Sequence, residues 1–207
     1  MMQLVTDRLI LQDIALPDIE DYVRWYTAET EWMDWDAPWE WEEPFDTLAL
    51  TELYQKRLRL PLTAQRTRFE LYLPENRHIG WVSSYLMENG KPAIGIDIPL
   101  PEDRRRGLGT IAYLMLVHYF LKNGIPEIYT QTWSGNLPMI ALAKKIGFTE
   151  SERLIGVRKV RGSSYDALTF RLDIPEFLRR FDQFPIMQYQ TDLGSITADQ
   201  LNGSREK

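Results

Sequence analysis

The 207-residue sequence predicts a mixed α/β domain. Segments of strand and helix character follow one another in the order strand, two helices, three strands, helix, strand, helix and two strands. Short turn sequences separate the middle strands, at Pro74-Glu75-Asn76 and at Glu88-Asn89-Gly90, and such turns are typical of hairpins. A series of antiparallel hairpins that leads into a helix differs from the simple alternation of a doubly wound sheet.

Residue patterning gives the individual elements. Runs rich in β-branched and aromatic residues predict seven strands, over residues 6–14, 68–73, 79–87, 93–98, 128–133, 148–158 and 165–172. Helical spacing with start and stop signals predicts five helices, over residues 17–28, 45–60, 107–122, 136–146 and 176–184. Pro17 begins the first helix, and Asn123-Gly124 ends the third.

The composition changes after Pro175. We therefore expect the main domain to cover residues 1–174 and a C-terminal extension to cover residues 175–207. Within the extension, the helix predicted over residues 176–184 is followed by a polar tail, residues 188–207, which we expect to be partly disordered.

Several classes of protein are excluded by composition. The chain has no cysteine, which excludes disulfides, thiolate metal sites and a cysteine nucleophile. The two histidines are too few for a multi-histidine metal site, so no metal is expected; His78 is predicted to cap a turn and His118 to lie in the core. Asp7 and Arg8 interrupt any apolar start, and the longest strongly apolar run, residues 111–121, is about half a bilayer span. We expect a cytoplasmic protein without membrane partners, either a monomer or a homodimer.

The net charge of −6 is concentrated in one segment. Residues 29–46, called the acidic segment below, contain eight acidic residues, no basic residue and four of the seven tryptophans. In the rest of the chain, 22 acidic residues face 24 basic ones. This balance gives no chain-wide basic footprint, so no nucleic-acid partner is expected.

The most informative stretch is residues 96–112, IDIPLPEDRRRGLGTIA. The stretch contains three consecutive arginines and two glycines. It predicts a strand, a prolyl turn and then the start of an apolar helix. Glycine lets a ligand approach the backbone closely, and the first amides of a helix have no partner within the helix. Together with the helix dipole and the guanidinium groups, these features predict a phosphate site. The alternative interpretation is an ordinary helix start beside a solvated basic cluster.

Two phosphate-binding motifs fit this stretch poorly. Residues 107–112 match the G-x-G-x-x-A form of the dinucleotide fingerprint, and Glu127 follows at about the expected distance. Glu127 precedes its strand, however, whereas the acid of that fingerprint ends one. The phosphate-loop pattern also fails, because no Gly-Lys-Ser/Thr follows.

Two motifs resemble those of the GCN5-related N-acetyltransferase (GNAT) family. Arg104-x-x-Gly107-x-Gly109 is similar to the family's Q/R-x-x-G-x-G/A pattern, and residues 136–148, NLPMIALAKKIGF, are similar to its asparagine-led helix ending in Lys-x-Gly-Phe. The opening TDRLIL resembles the first strand of the branch that acetylates ribosomal-protein N-termini and related amines, which includes the ribosomal-protein-alanine N-acetyltransferases. The resemblance covers about residues 3–173. It implies a central, mostly antiparallel twisted sheet of about seven strands with helices on both faces.

The resemblance implies acetyl-coenzyme A (acetyl-CoA) as the acetyl donor. The pyrophosphate would lie on backbone amides from about Arg105 to Thr110, the pantetheine beside the end of the preceding strand, and Asn136 near the thiol arm. The implied contact residues are Ile98, Pro99, Arg104, Arg105, Arg106, Gly107, Leu108, Gly109, Thr110 and Asn136. A structural role for Asn136, as the N-cap of its helix, is compatible with this.

The catalytic groups are less well defined by the sequence. A neutral amine must attack the thioester, so its proton must pass to a base, and we consider Asp97, Asp34 and Asp36 for that role. The resemblance implies an oxyanion donor near Ile98. Many relatives carry a tyrosine as general acid where this chain has Ala143. Ser134 is a possible substitute, although it also fits a turn residue beside Gly135.

The acidic segment lies where this fold places acceptor-binding elements. Its carboxylates and indole rings suit a cationic amine on a small molecule or a peptide, with Trp32, Asp34, Trp35 and Asp36 as candidate contacts. The alternative is that the tryptophans pack in the core or between subunits. The sequence therefore predicts an N-acetyltransferase, with a non-catalytic acyl-CoA-binding module as the first alternative and an NAD-dependent oxidoreductase as the second.

Overall fold

A nine-stranded sheet forms the centre of the protein. The computed structural model describes residues 1–40, 45–58, 61, 64–182, 184, 185 and 188–191. The strands are β1 (Met2–Val5), β2 (Ile10–Gln12), β3 (Arg68–Leu73), β4 (Arg77–Leu86), β5 (Pro92–Asp97), β6 (Tyr129–Trp133), β7 (Phe148–Val160), β8 (Ser163–Leu172) and β9 (Gln188–Thr191). They lie in the order β7-β8-β6-β5-β4-β3-β2-β1-β9.

The sheet is mostly antiparallel, as predicted. Within the described residues, β5 and β6 form the single parallel pair, and every other neighbouring pair is antiparallel. The mixed α/β class is therefore confirmed. The count of about seven strands rises to nine, because the N-terminal strand divides and the C-terminal extension contributes another.

The prediction of one N-terminal strand over residues 6–14 was wrong. The chain instead forms the β1–β2 hairpin, which turns at Asp7 and Arg8. Thr6 closes this turn: its backbone N–H donates to the carbonyl of Leu9 at 2.9 Å, and its hydroxyl accepts from the Leu9 N–H at 3.0 Å. A threonine side chain that bonds nearby backbone stabilises such a turn, and this local interaction outweighed the alternating pattern.

Helices cover both faces of the sheet. They are α1 (Asp18–Thr27), α2 (Thr47–Arg57), α3 (Leu108–Lys122), α4 (Leu137–Ile146) and α5 (Ile174–Phe181), with short 3-10 turns at Thr30–Asp34 and Pro101–Asp103. The larger core packs α3, α4 and α5 against one face. A smaller, aromatic-rich core packs α1, the Thr30–Asp34 turn and α2 against the other face. No helix among the described residues is long and apolar enough to cross a membrane.

The C-terminal extension contributes a helix and a strand. Helix α5 begins two residues before the predicted start, because the side chain of Asp173 caps it by accepting from the Glu176 N–H at 3.0 Å. Phe177 of α5 is fully buried in the larger core, where its ring contacts His118. Residues 188–191, predicted as part of a partly disordered tail, instead form β9, which pairs with β1. The rest of that tail, residues 192–207, lies outside the described residues.

Strands β5 and β6 separate at their carboxyl ends. Their register contains one partner pair, Ala93 with Tyr129, among the described residues. Beyond that pair, Gly95 and Asp97 of β5 face Gln131 and Thr132 of β6 across an open cleft. Backbone groups in an unpaired edge need other partners, so this separation leaves the ends of β5 and β6 open to further hydrogen bonds.

Candidate active site

The cleft between β5 and β6 has a volume of about 720 Å³. One wall is the end of β5 and the loop that leads to α3, and the opposite wall is the end of β6 and the first turns of α4. Four residues of the acidic segment also line the cleft: Glu31, Trp32, Trp35 and Asp36. The predicted site residues that line it are Trp32, Trp35, Asp36, Asp97, Ile98, Arg104, Arg105, Gly107, Gly109, Thr110 and Asn136.

The start of α3 presents free backbone amides to the cleft. Gly107 is the N-cap residue with φ of +81°, a conformation that a side chain would strain. The first intrahelical bond of α3 is donated by Ile111 to the Gly107 carbonyl at 3.2 Å, so the preceding amides have no helical partner. Arg105 also has a positive φ, +57°, and its side chain is exposed. Free amides at a helix start and an exposed guanidinium are features that favour the binding of an anion.

The other two arginines of this loop hold its shape. The Arg104 Nε donates to the Ile98 carbonyl at 2.7 Å, a terminal nitrogen donates to the Pro99 carbonyl, and the other pairs with Glu31 at 2.5 Å. The guanidinium of Arg104 is therefore engaged within the protein, where it fixes the end of β5.

The buried carboxylate of Asp103 secures the middle of the same loop. It accepts two bonds from Arg77, at 2.7 and 2.6 Å, and one from Arg106 at 3.0 Å. The backbone carbonyl of Arg106 accepts from Arg8 at 2.7 Å. The loop before α3 is thus held by charged groups from β4 and the β1–β2 turn, which favours a preformed site.

Asn136 caps α4 and also contacts the acidic segment. Its side-chain oxygen accepts from the Met139 N–H at 3.0 Å, which is the N-cap role considered from the sequence. Its side-chain nitrogen donates to the backbone carbonyl of Trp35 at 2.6 Å. The indole N–H of Trp133 donates to the same carbonyl at 3.0 Å. Asn136 therefore joins α4 to the acidic segment at Trp35.

Asp97 and Asp36 place two acidic groups in the cleft. Burial and the negative charge of Asp36 raise the pKa of Asp97 well above its usual value, although the nearby Arg68 and a hydrogen bond from Trp81 oppose this. Asp36 stays open to the cleft, but crowding by the cleft walls and the charge of Glu40 raise its pKa to about 6. A carboxyl group with a raised pKa can accept a proton near neutral pH.

Strand β4 fixes the position of Asp97. Trp81 is its register partner across the β4–β5 ladder, so both side chains lie on the face that carries α1 and α2. Neighbouring Ile94, Ile96 and Ile98 pack against the larger core on the opposite face. This alternation directs the carboxyl group of Asp97 towards the acidic segment rather than towards α3.

Five of the residues that the sequence singled out do not line the cleft. Pro99 and Leu108 are buried, Arg106 pairs with Asp103, Asp34 pairs with Arg161, and Ser134 contacts β8. The Ser134 hydroxyl accepts from the Asp166 N–H at 3.0 Å, which supports its interpretation as a structural turn residue. Trp41 lies outside the described residues.

Other cleft residues were missed from the sequence. Glu31, Gln131 and Thr132 line it, and Tyr85 lies close enough that burial and the charges of Asp36 and Glu40 raise the pKa of its hydroxyl to about 12. The alternation of β6 places Gln131 and Trp133 on one face of the sheet. That pattern could have identified Gln131 as a polar residue facing the acidic segment.

The prediction that His78 caps a turn was wrong. Its imidazole is buried beneath α1, with Nδ1 at 2.9 Å from Asp21 and Nε2 at 3.3 Å from Glu70, and Asp18 lies 3.6 Å away. Burial alone would lower the pKa of His78, but these carboxylates outweigh it and raise the pKa to about 9. The imidazolium is therefore a buried ionic contact between β4, β3 and α1.

The mostly antiparallel sheet with helices on both faces is the architecture that the resemblance to the acetyltransferases implies. The family model described as the acetyltransferase (GNAT) domain matches residues 8–149. The chain therefore belongs to the GNAT family, as its motifs predicted.

Solved structures share this fold at low sequence identity. A GNAT-family acetyltransferase from Bacillus anthracis aligns with a TM-score of 0.64 and 18% identity, over 82% of this chain and 97% of that one. Spermidine N-acetyltransferase from Vibrio cholerae, in complex with CoA and spermine, aligns with a TM-score of 0.66 and 20% identity, over 84% of this chain and 99% of that one. A ribosomal L7/L12 α-N-protein acetyltransferase in complex with CoA aligns with a TM-score of 0.67 and 15% identity, over 81% of this chain and 94% of that one. No protein of curated function matches the sequence.

Proposed function

We propose that this protein transfers an acetyl group from acetyl-CoA to the primary amine of a cationic acceptor, within a ternary complex. The main observation is that a single cleft joins the free amides of α3 at one end to the carboxyl groups of Asp97 and Asp36 at the other. The first end suits the phosphates of a nucleotide carrier, and the second suits a protonated amine.

The cofactor end has the donors that acetyl-CoA requires. The amides of Gly109 and Thr110 and the side chain of Arg105 would hold the pyrophosphate. The unpaired carboxyl end of β5, at Ile98, would hold the amide-rich pantetheine arm. Gly109 borders the cleft without a side chain, so a ligand can approach its backbone closely. When bound, acetyl-CoA supplies an acetyl group activated as a thioester.

The acceptor end carries unbalanced negative charge. Within the described residues, neither Asp36 nor Glu40 forms an ion pair with a basic side chain, and the charge of Glu40 helps to raise the pKa of Asp36. Trp35 and Asp97 border the same space. A cationic amine would replace that repulsion with attraction, and the indole ring would add a cation–π contact.

Asp97 is the proposed general base. The attacking amine arrives protonated, because an alkyl ammonium has a pKa of about 10.4. Asp97 accepts its proton directly or through water, the amine nitrogen bonds to the acetyl carbon, and the carbon–sulfur bond then breaks. The backbone N–H at Ile98 would stabilise the oxyanion. The departing thiolate takes a proton from solvent, which suits a thiol with a reference pKa of about 8.5 and the absence of a tyrosine at Ala143.

The competing proposal is a module that binds acyl-CoA without catalysis, since Ala143 is buried and offers no acid. Thiol release across a panel of amines separates the two. We expect release with acetyl-CoA and a polyamine, an amino sugar or a peptide amine. CoA binding without thiol release from any amine would favour the binding module.

The Asp97→Asn variant tests the base. We expect kcat to fall by about 10²–10⁴-fold while CoA still binds, because a positioned base contributes that much. The matched control is Glu88→Gln, which removes a carboxylate at the exposed β4–β5 turn. A kcat for Asp97→Asn equal to that of the control would reject the assignment.

A further inference from the structure

One residue of the acidic segment is bonded to both walls of the cleft. The indole N–H of Trp35 donates to the carboxylate of Glu31 at 2.9 Å, and the other oxygen of that carboxylate accepts from Arg104 at 2.5 Å. Arg104 in turn donates to the backbone carbonyls at the end of β5. The side chain of Trp35 is therefore tied to the β5 wall through Glu31.

The backbone of Trp35 is tied to the opposite wall. Its carbonyl accepts from the side chain of Asn136 at 2.6 Å and from the indole of Trp133 at 3.0 Å. Asn136 begins α4 and Trp133 ends β6, so both belong to the wall across the cleft from β5. The space for Trp133 depends on Gly135, where a Cβ would stand 1.8 Å from the indole ring.

We propose that Trp35 is a positioning residue that fixes the spacing between the end of β5 and the start of α4. Glu31 holds its indole, and Asn136 with Trp133 holds its carbonyl. This proposal rests on the proposed function, because that spacing is where the pantetheine arm would pass. A preset spacing lowers the cost of ordering the cleft when the carrier binds.

The Glu31–Arg104 pair is poorly suited to a purely stabilising role. The side chain of Glu31 is 53% exposed and that of Arg104 24% exposed, and pairs of this kind contribute little to folding. Hydrogen bonds from Trp35 and Arg104 nonetheless outweigh the effect of partial burial and lower the pKa of Glu31. The carboxylate is thus held ionised between the two groups that it connects.

The test measures CoA affinity by titration calorimetry in 0.5 M NaCl. High salt screens the general effect of removing a negative charge near the phosphate loop, so a change in affinity reports the geometry of the cleft. The variants are Glu31→Ala, Trp35→Phe and the double variant. The control is Glu29→Ala, which lies in the same segment and pairs with Arg24 instead.

We expect Glu31→Ala and Trp35→Phe each to weaken CoA binding about tenfold, and the double variant to be no weaker than Glu31→Ala, because both changes break the same link. Glu29→Ala keeps the wild-type affinity, and thermal midpoints stay within about 2 °C. Trp35→Phe also loses part of the tryptophan fluorescence change that CoA induces in the wild type.

Three results would overturn the proposal. Unchanged or tighter CoA binding by Glu31→Ala would show that the link from Glu31 to Trp35 does not fix the spacing between the end of β5 and the start of α4. Effects that multiply to about a hundredfold in the double variant would show that Glu31 and Trp35 act independently. Both results leave the proposed function intact. A wild-type protein that fails to bind CoA would reject the proposed function, and this inference with it.

Discussion

The carbonyl oxygen of Asp97 lies against the backbone of Gly80, so close that a Cβ built on Gly80 would stand 2.1 Å from it. The same Cβ would lie 3.1 Å from the Cα of Ile98. Gly80 follows an irregularity in the β3–β4 register and has φ of +146°. A bare backbone position on β4 therefore sets where β5 ends, and with it where the proposed base points.

Replacing Gly80 with alanine should displace the end of β5. The new methyl group meets backbone atoms rather than a flexible side chain, so relief requires the strand to shift. We expect a loss of about 1–3 kcal/mol in stability from the strained φ and the overlap. We also expect a larger relative loss in kcat, because a displacement of about 1 Å at a reacting group can cost about 10²-fold. Urea unfolding and thiol-release kinetics measure the two effects.

Gly90→Ala is the matched control for the backbone strain. Gly90 also has a positive φ, +75°, but a Cβ there meets nothing within 4 Å. Its variant should lose about 1–2 kcal/mol or less in stability and keep its kcat. Equal kcat values for the two alanine variants would refute the idea that contact with Gly80 positions Asp97.

Arg105 is the arginine most available for the phosphates. Its side chain is exposed, and within the described residues no acidic group pairs with it, whereas Arg104 and Arg106 are engaged with Glu31 and Asp103. We expect Arg105→Ala to weaken CoA binding about tenfold at low salt, and less at high salt, because the lost interaction is ionic. Calorimetry at two salt concentrations measures this.

Arg179→Ala on α5 is a suitable control for Arg105→Ala, because Arg179 pairs with Glu176 on its own exposed helix. Both variants should keep the wild-type thermal midpoint. If Arg105→Ala bound CoA as tightly as Arg179→Ala at low salt, Arg105 would not be the phosphate contact.

The sequence predicts the cofactor side of the cleft better than the acceptor side. Gly107, the free amides after it and the capping of α4 by Asn136 are local features, and residue spacing carries local features reliably. The contacts of the acidic segment are not local. Trp35 and Asn136 are 101 residues apart in the sequence, and Arg104 and Glu31 are 73 residues apart. Residue spacing therefore predicts neither contact.

Charge patterning also gave an incomplete account of the acidic segment. The composition showed that this segment is acidic, yet it did not distinguish Asp36, which lines the cleft, from Asp34, which pairs with Arg161 on the β7–β8 hairpin. Asp34 and Asp36 are separated by less than one helical turn in the sequence. Their different surroundings come from tertiary contacts, the ion pair of Asp34 with Arg161 and the cleft walls around Asp36.

Asp36 should give the acceptor site a dependence on pH. Its pKa is raised to about 6 by the cleft walls and by Glu40, so it is mostly ionised above that pH and neutral below it. We expect the KM for a cationic acceptor such as spermidine to rise as the pH falls through about 6, because the attraction to the amine is lost. The Asp36→Asn variant should have a KM about tenfold higher at pH 7.5.

The pH profile of Asp36→Asn provides the decisive comparison. Its KM should change little between pH 5.5 and pH 7.5, the range over which the wild-type KM falls. Glu88→Gln, at the distant β4–β5 turn, should retain the wild-type profile. A sloping profile in Asp36→Asn, parallel to that of the wild type, would assign the titration to another group.

His78 should make folding stability depend on pH in the alkaline range. Its pKa is about 9 in the folded protein, because Asp21, Glu70 and Asp18 outweigh burial, against 6.5 as its ordinary value. A pKa raised by folding adds stability that is fully present below pH 6.5 and is lost as the pH rises through about 9. The size of the loss is about 2–4 kcal/mol, since each pKa unit corresponds to about 1.4 kcal/mol.

Urea unfolding between pH 6 and pH 10 tests this for the wild type and His78→Gln. The variant should be less stable at pH 6.5, because glutamine removes one positive charge from the cluster of carboxylates around it, and its stability should vary less across the range. If both proteins lost the same free energy of unfolding between pH 6.5 and pH 9, His78 would not be the titrating group. A flat wild-type profile would mean that folding does not raise the pKa of the His78 imidazole.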